Sequence, residues 1–255
     1  MPAAWQSDAV SNREGTRPLF VKSLRIEKTY AMRLRRVAAT VADFIHAHND
    51  PAEPVTSGDA IQAALVRYAV AVIPWAQSVG NRMIAEVDAR NKMHWHAAAK
   101  RISAGLADEI ENAPTGEVMR ALLAAQVDLI TSLPREAAQQ VHELVTANRV
   151  MGLRAELLTE KIRALGEITK SRAKLIAITE TSRAGAVLTQ ARAESIDSTE
   201  YFWRSAGDAS VRPDHRALNG RVFKWASPPI SDTKSGTRAH PGCIWRCRCY
   251  AEPIF

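Results

Sequence analysis

The side chains of this 255-residue sequence best suited to holding a metal gather near one end. Cys243, Cys247 and Cys249 all fall in HPGCIWRCRC, with His240 just ahead of them and His215 further upstream. Thiolates and imidazoles are the ligands zinc prefers, and two cysteines separated by one residue on a strand point to the same face. That spacing allows a structural zinc site from His215, Cys247, Cys249 and either His240 or Cys243. The competing reading makes Cys247 and Cys249 small packing residues, with Arg246 and Arg248 turned toward water or an acidic partner. Three cysteines suit no closed disulfide framework, which leaves metal ligation or plain thiols.

Acid–base chemistry has a thinner basis. Asp208, Asp214 and His215 hold the minimum kit for activating water, a carboxylate near an imidazole. They stand among turn formers, however, where an Asp side chain commonly binds its own backbone. No phosphate-cradling glycine loop occurs, and the pairs His46/His48 and His94/His96 diverge on helices. Trp203 and Trp225 can stack on bases, yet a small module needs them more as its core. A non-enzymatic protein is therefore expected.

The elements that position these residues read mainly as helix. Hydrophobic residues make up 46% of the chain but aromatics only 6%, so the core should consist of many thin helix contacts. Spacings of three and four predict a helix over 19–48, stopped by Pro51 and Pro54, then one from an N-cap at Asp59 toward Glu111, kinked at Pro74. Further helices are predicted over 116–131, from Pro134 to Leu165 after a break at 132–134, and over 169–193. Beyond Ser195 the composition changes, and strands are predicted at 221–225 and 244–250 around a long loop. The expected organisation is a flexible arm (1–16), a helical domain (17–195) and a small Cys/His module (196–255). In fold class this is a mainly α chain, an elongated helical bundle or arm followed by a small α+β module.

The net charge of +7 and pI near 9.6 suit a neighbour made of phosphate. The first helix concentrates this charge, and Arg25, Lys28, Arg33, Arg35 and Arg36 are the candidate DNA-binding set, against the plainer reading of a solvated face. The N-terminus lacks the apolar core of a secretory signal, and the most apolar stretch contains Arg67 and Pro74, so a cytosolic protein without a membrane span is expected.

With these residues in place, the C-terminal third resembles the Mu F-like family of phage head morphogenesis or minor capsid proteins. The resemblance rests on ITETSRAG (178–185), then Trp203, Asp208, Val211, Arg212, His215, Leu218, Gly220 and Phe223, then Pro241, Gly242, Cys247, Arg248 and Cys249. It covers about residues 165–253. It implies a structural minor head protein in the interior of a tailed-phage capsid near the portal vertex, assembled in the host cytoplasm. The implied partners are portal protein, major capsid or scaffold protein, and packaged double-stranded DNA, with roles in head assembly and in packaging or ejection. Trp203, Asp208, Arg212, Gly220 and Phe223 are expected to form the module's core. The alternatives are a metal-dependent nuclease, a toxin-like transferase, or a DNA-binding packaging accessory.

Overall fold

The computed structural model describes residues 23–100, 102–152 and 154–254. The expected arm at 1–16 and the first residues of the predicted first helix lie outside these. The described residues form seven helices and five short strands in two compact units. The chain is mainly α, with a small C-terminal region of antiparallel strands, as its periodicity predicts.

One unit comprises Ser23–Asp88 and Gly116–Ala184. In α1 (Leu24–His48), Tyr30, Leu34, Val37, Val41 and Ile45 recur at three- and four-residue spacing and are buried. α2 (Pro54–Ala71) starts on Pro54 itself, ahead of the expected cap at Asp59, because a proline in the first turn forfeits no hydrogen bond. Buried Gly58 lets α2 approach α5, since a Cβ there would stand 2.3 Å from Val145 Cγ2. The helix predicted from 59 to 111 is instead three. Pro74 does not kink a continuous helix but lies in the first turn of α3 (Ile73–Ala99), and Ser103 starts α4 (Ala104–Glu111) by accepting the Leu106 N–H at 3.1 Å.

Pro134 also behaves differently from the prediction. α5 (Gly116–Met151) passes straight through it. A proline strips the carbonyl four residues back of its donor. Hydroxyls hold the neighbouring turn, Thr131 Oγ1 donating to the Val127 carbonyl and Ser132 Oγ to that of Leu129, each at 2.9 Å. The break comes at Gly152, whose φ of +63° a side-chain-bearing residue adopts only with strain. α6 (Ala155–Ser195) is then continuous across the predicted gap near 165–169. Inside this unit the Tyr30 O–H donates to Gln126 Oε1 at 2.8 Å, and Gln126 Nε2 donates to Glu180 Oε2 at 3.1 Å.

The other unit joins Ala89–Thr115 to Gly185–Phe255. Its three-stranded antiparallel sheet has β1 (Glu200–Arg204) at the centre, flanked by β2 (Val222–Lys224) and β5 (Tyr250–Pro253). A short helix, α7 (Pro213–Leu218), and a hairpin of β3 (Ile230–Asp232) and β4 (Thr237–Arg238) complete it. Alternation along β1 buries Tyr201 and Trp203, which pack with Leu218, Trp225, Cys247, Cys249 and Ala251. Helical residues from far earlier in the chain, Trp95, Ala99, Ala107 and Ile110, share this core. Asn91 fastens them by donating to Thr189 Oγ1 and accepting from Arg192, both at 2.7 Å.

Candidate metal centre

His215 is brought inward by α7. Pro213 presets the first turn, and one turn of helix places His215 and Leu218 on the same buried face. The cysteines arrive differently from the prediction. Residues 244–249 do not form a strand: Arg246 has a φ of +55°, and ladder pairing begins only where Tyr250 meets Arg204. A turn closed by Cys243 N–H on the His240 carbonyl and Cys247 N–H on that of Ile244 carries the chain round instead, each bond 3.1 Å. β5 then anchors Cys249 beside the sheet.

The three ligand atoms of His215, Cys247 and Cys249 lie within 4.8 Å of one another, and all three residues are buried. Each Sγ stands 3.5 Å from His215 Nδ1. With Zn–S near 2.3 Å and Zn–N near 2.05 Å, the edge between sulfur and nitrogen of a tetrahedral site is about 3.5 Å, so the spacing fits a common ion. The Gly242 N–H donates to Cys247 Sγ at 3.3 Å, a bond that favours a thiolate. The Cys247 thiol is held well below its ordinary value by the hydrogen bond from Cys249, with His215 and Gly242 adding to it against burial. Cys249 is pushed up, chiefly because it keeps the proton shared with Cys247, then by burial and by the charge on Cys247. A bound cation would compete with protons for these thiols. His215 packs edge-on to Trp203, ring centroids 5.3 Å apart.

The remaining sequence-derived candidates lie elsewhere. His240 Nδ1 is 2.9 Å from the Tyr201 hydroxyl, and burial lowers the ring below its ordinary value against a hydrogen bond with the Trp225 backbone that raises it. Cys243 is half-buried and outside the cluster. Among the residues expected to form the module's core, Trp203 is fully buried and Phe223 packs against it at 6.3 Å. Gly220 occupies a turn at φ +78°. Asp208 and Arg212 are exposed. Asp208 holds Ser210 through its backbone N–H and its hydroxyl, and Arg212 Nη2 donates to the Trp245 carbonyl at 2.7 Å. Asp214 accepts the backbone N–H and the hydroxyl of Thr233, which lower it below the usual carboxylate range. Its carboxylate is therefore a loop tie. On α1, Arg25, Lys28, Arg35 and Arg36 are exposed, whereas Arg33 is half-buried beside a pocket that Arg82 and Glu86 also line.

Sequence reasoning missed the Gly242 donor and the Tyr201–His240 bond. The Pro241-Gly242 turn signal just ahead of the cysteines pointed to the first. Nothing local pointed to the second.

Comparison with known proteins agrees with this layout. Residues 139–252 match the family model described as phage Mu protein F like protein. An uncharacterized protein of Haemophilus influenzae is 32% identical over 181 residues, which is 70% of this chain. The chain spans 39% of the length of that relative. No solved structure matches. Residues 139–252, from the second half of α5 through β5 and including the whole His/Cys cluster, therefore belong to the phage Mu protein F like family.

Proposed function

We propose that the protein is a structural, non-enzymatic component of a tailed-phage head, placed inside the capsid near the portal vertex, with portal and major capsid or scaffold protein as partners. The family match across the His/Cys cluster carries this reading. A zinc ion held by His215, Cys247 and Cys249 is its structural element, tying α7 and the cysteine turn to the sheet. The donor set is that of zinc, and a bound ion would supply cross-linking energy to a unit whose strands are two to five residues long. His240 and Cys243 were the sequence's options for a further ligand, but His240 is already engaged with Tyr201.

Absence of catalysis is supported by what the nearby carboxylates do, since Asp208 accepts from Ser210 in its own loop and Asp214, on α7, accepts from Thr233. The exposed cations of α1 support contact with packaged double-stranded DNA. No described helix is long and apolar enough to cross a membrane.

Deleting this chain from an otherwise intact phage genome tests the reading. Heads that lack normal DNA content or infectivity are the expected result, and complete, infectious particles overturn it. Incubating the purified protein with DNA and a divalent metal, beside His215→Ala, should give no turnover in either sample. Cleavage lost in His215→Ala would establish the nuclease alternative instead.

A further inference from the structure

Around the cluster the chain presents an exposed tryptophan, which the role of an internal staple does not account for. Trp245 is 57% exposed, although it stands two residues from Cys247 at 2%. Its place is fixed: Arg212, the residue capping α7, donates to the Trp245 carbonyl at 2.7 Å, while His215 on α7 meets Cys247. The cluster thus draws α7 and the cysteine turn together and sets Trp245 beside Arg212, the residue that caps α7.

Arg212 and Arg216 are each tied to a backbone carbonyl. Arg212 Nη2 binds the Trp245 carbonyl, and Arg216 Nη2, one helical turn on, binds that of Val211 at 3.4 Å. A guanidinium anchored on a carbonyl has already given up much of its side-chain freedom, keeps its charge, and has donors left for a carboxylate. An exposed tryptophan whose backbone carbonyl is held by an arginine joins two residue types enriched in interface hot spots.

We propose that Trp245, Arg212 and Arg216 form a docking surface for a carboxylate-bearing segment of a partner protein, the tryptophan packing on an apolar side chain and the arginines on its acid groups. Charge complementarity selects the acidic partner. Protein is favoured over nucleic acid because Asp232 stands near enough to Arg212 to be lowered partly by its charge. A continuous phosphate backbone would meet that carboxylate. A peptide can offer its own acids only opposite the arginines. This inference names the partner chemistry for the proposed head protein and rests on that reading.

The test places a photo-crosslinking amino acid at position 245 of the full chain during head assembly, with a second version at exposed Lys224 as control. Crosslinking from 245, and not from 224, to one head-protein segment containing Asp or Glu is expected. The charge reversal Arg212→Glu with Arg216→Glu should abolish that crosslink. Trp245→Ala should lower incorporation into heads about tenfold or more, with metal content and thermal midpoint unchanged because the side chain is exposed. A crosslink to DNA, no crosslink at all, or unchanged incorporation of Trp245→Ala overturns the proposal. Wild-type protein absent from purified heads would instead overturn the head-protein reading, so the two failures are distinguishable.

Discussion

Cys247, Cys249 and His215 bring their ligand atoms within 4.8 Å of one another, and a thiol that binds a metal gives up its proton. Cys249 is pushed up, which favours its protonated form, so metal uptake should release a proton and affinity should weaken as pH falls, about tenfold per unit for each proton displaced. Titration with zinc at two pH values, with proton release read by a pH indicator, checks this. Cys247→Ser or His215→Ala should lower metal content to near zero. His240 gives a second pH signature. Burial lowers it below its ordinary value of 6.5, so the folded protein holds fewer protons there than the unfolded chain does. Its stability contribution is complete above about pH 6.5 and is lost as pH drops toward the folded value. Denaturant midpoints of wild type and His240→Gln should therefore differ at about pH 7.5 and converge toward pH 5.5. His94 is lowered too, by burial and by Arg90, but it is common to both proteins and cancels in the difference.

Among the elements, α2 and α5 are held close by a single missing side chain. Gly58→Ala would thrust a methyl to within 2.3 Å of Val145 Cγ2, in a helix interior where alanine is otherwise preferred. Overpacking of that size costs about 1–3 kcal/mol, against a helix-propensity gain of about 1 kcal/mol. A net fall in the denaturant midpoint is expected, and Gly58→Ala combined with Val145→Ala should recover part of it. On α1, exchanging Arg33, Arg35 and Arg36 for Ala removes cations from the face proposed to meet DNA. Each phosphate deprived of its arginine should flatten the slope of log affinity against log salt by about 0.9. Arg33, half-buried, is expected to contribute least. Identical slopes would remove α1 from the DNA-binding assignment. The helix boundaries that misled the sequence reading share one cause. Pro74 and Pro134 have the same covalent limits, yet one lies in a first turn and the other mid-helix, where Thr131 and Ser132 hydroxyls occupy nearby carbonyls. Which outcome prevails depends on where the missing N–H falls relative to packing, and periodicity alone does not encode that.

Considering the molecule as a whole, the unit that carries the His/Cys cluster is assembled from segments far apart in the chain, so its stability should depend on the metal more than its helix content does. Chelation should leave the far-ultraviolet helical signal nearly intact, change tryptophan emission, and open the loops between 205 and 249 to protease. Simultaneous loss of helix would contradict the proposed staple. Trp203→Ala, removing the largest side chain beside the cluster, should cost about 3–5 kcal/mol and lower metal retention. Local composition was enough to reveal the helical class and to single out His215, Cys247 and Cys249 as candidate ligands that the fold brings together, because apolar period and donor chemistry are written into neighbouring residues. Packing alone decided that Trp95 and Ile110 complete the core around Trp203, that His240 binds Tyr201 and not the cluster, and that Trp245 faces solvent. Those outcomes depend on contacts between segments up to a hundred or so residues apart, whose pairing follows from shape and burial in the finished fold.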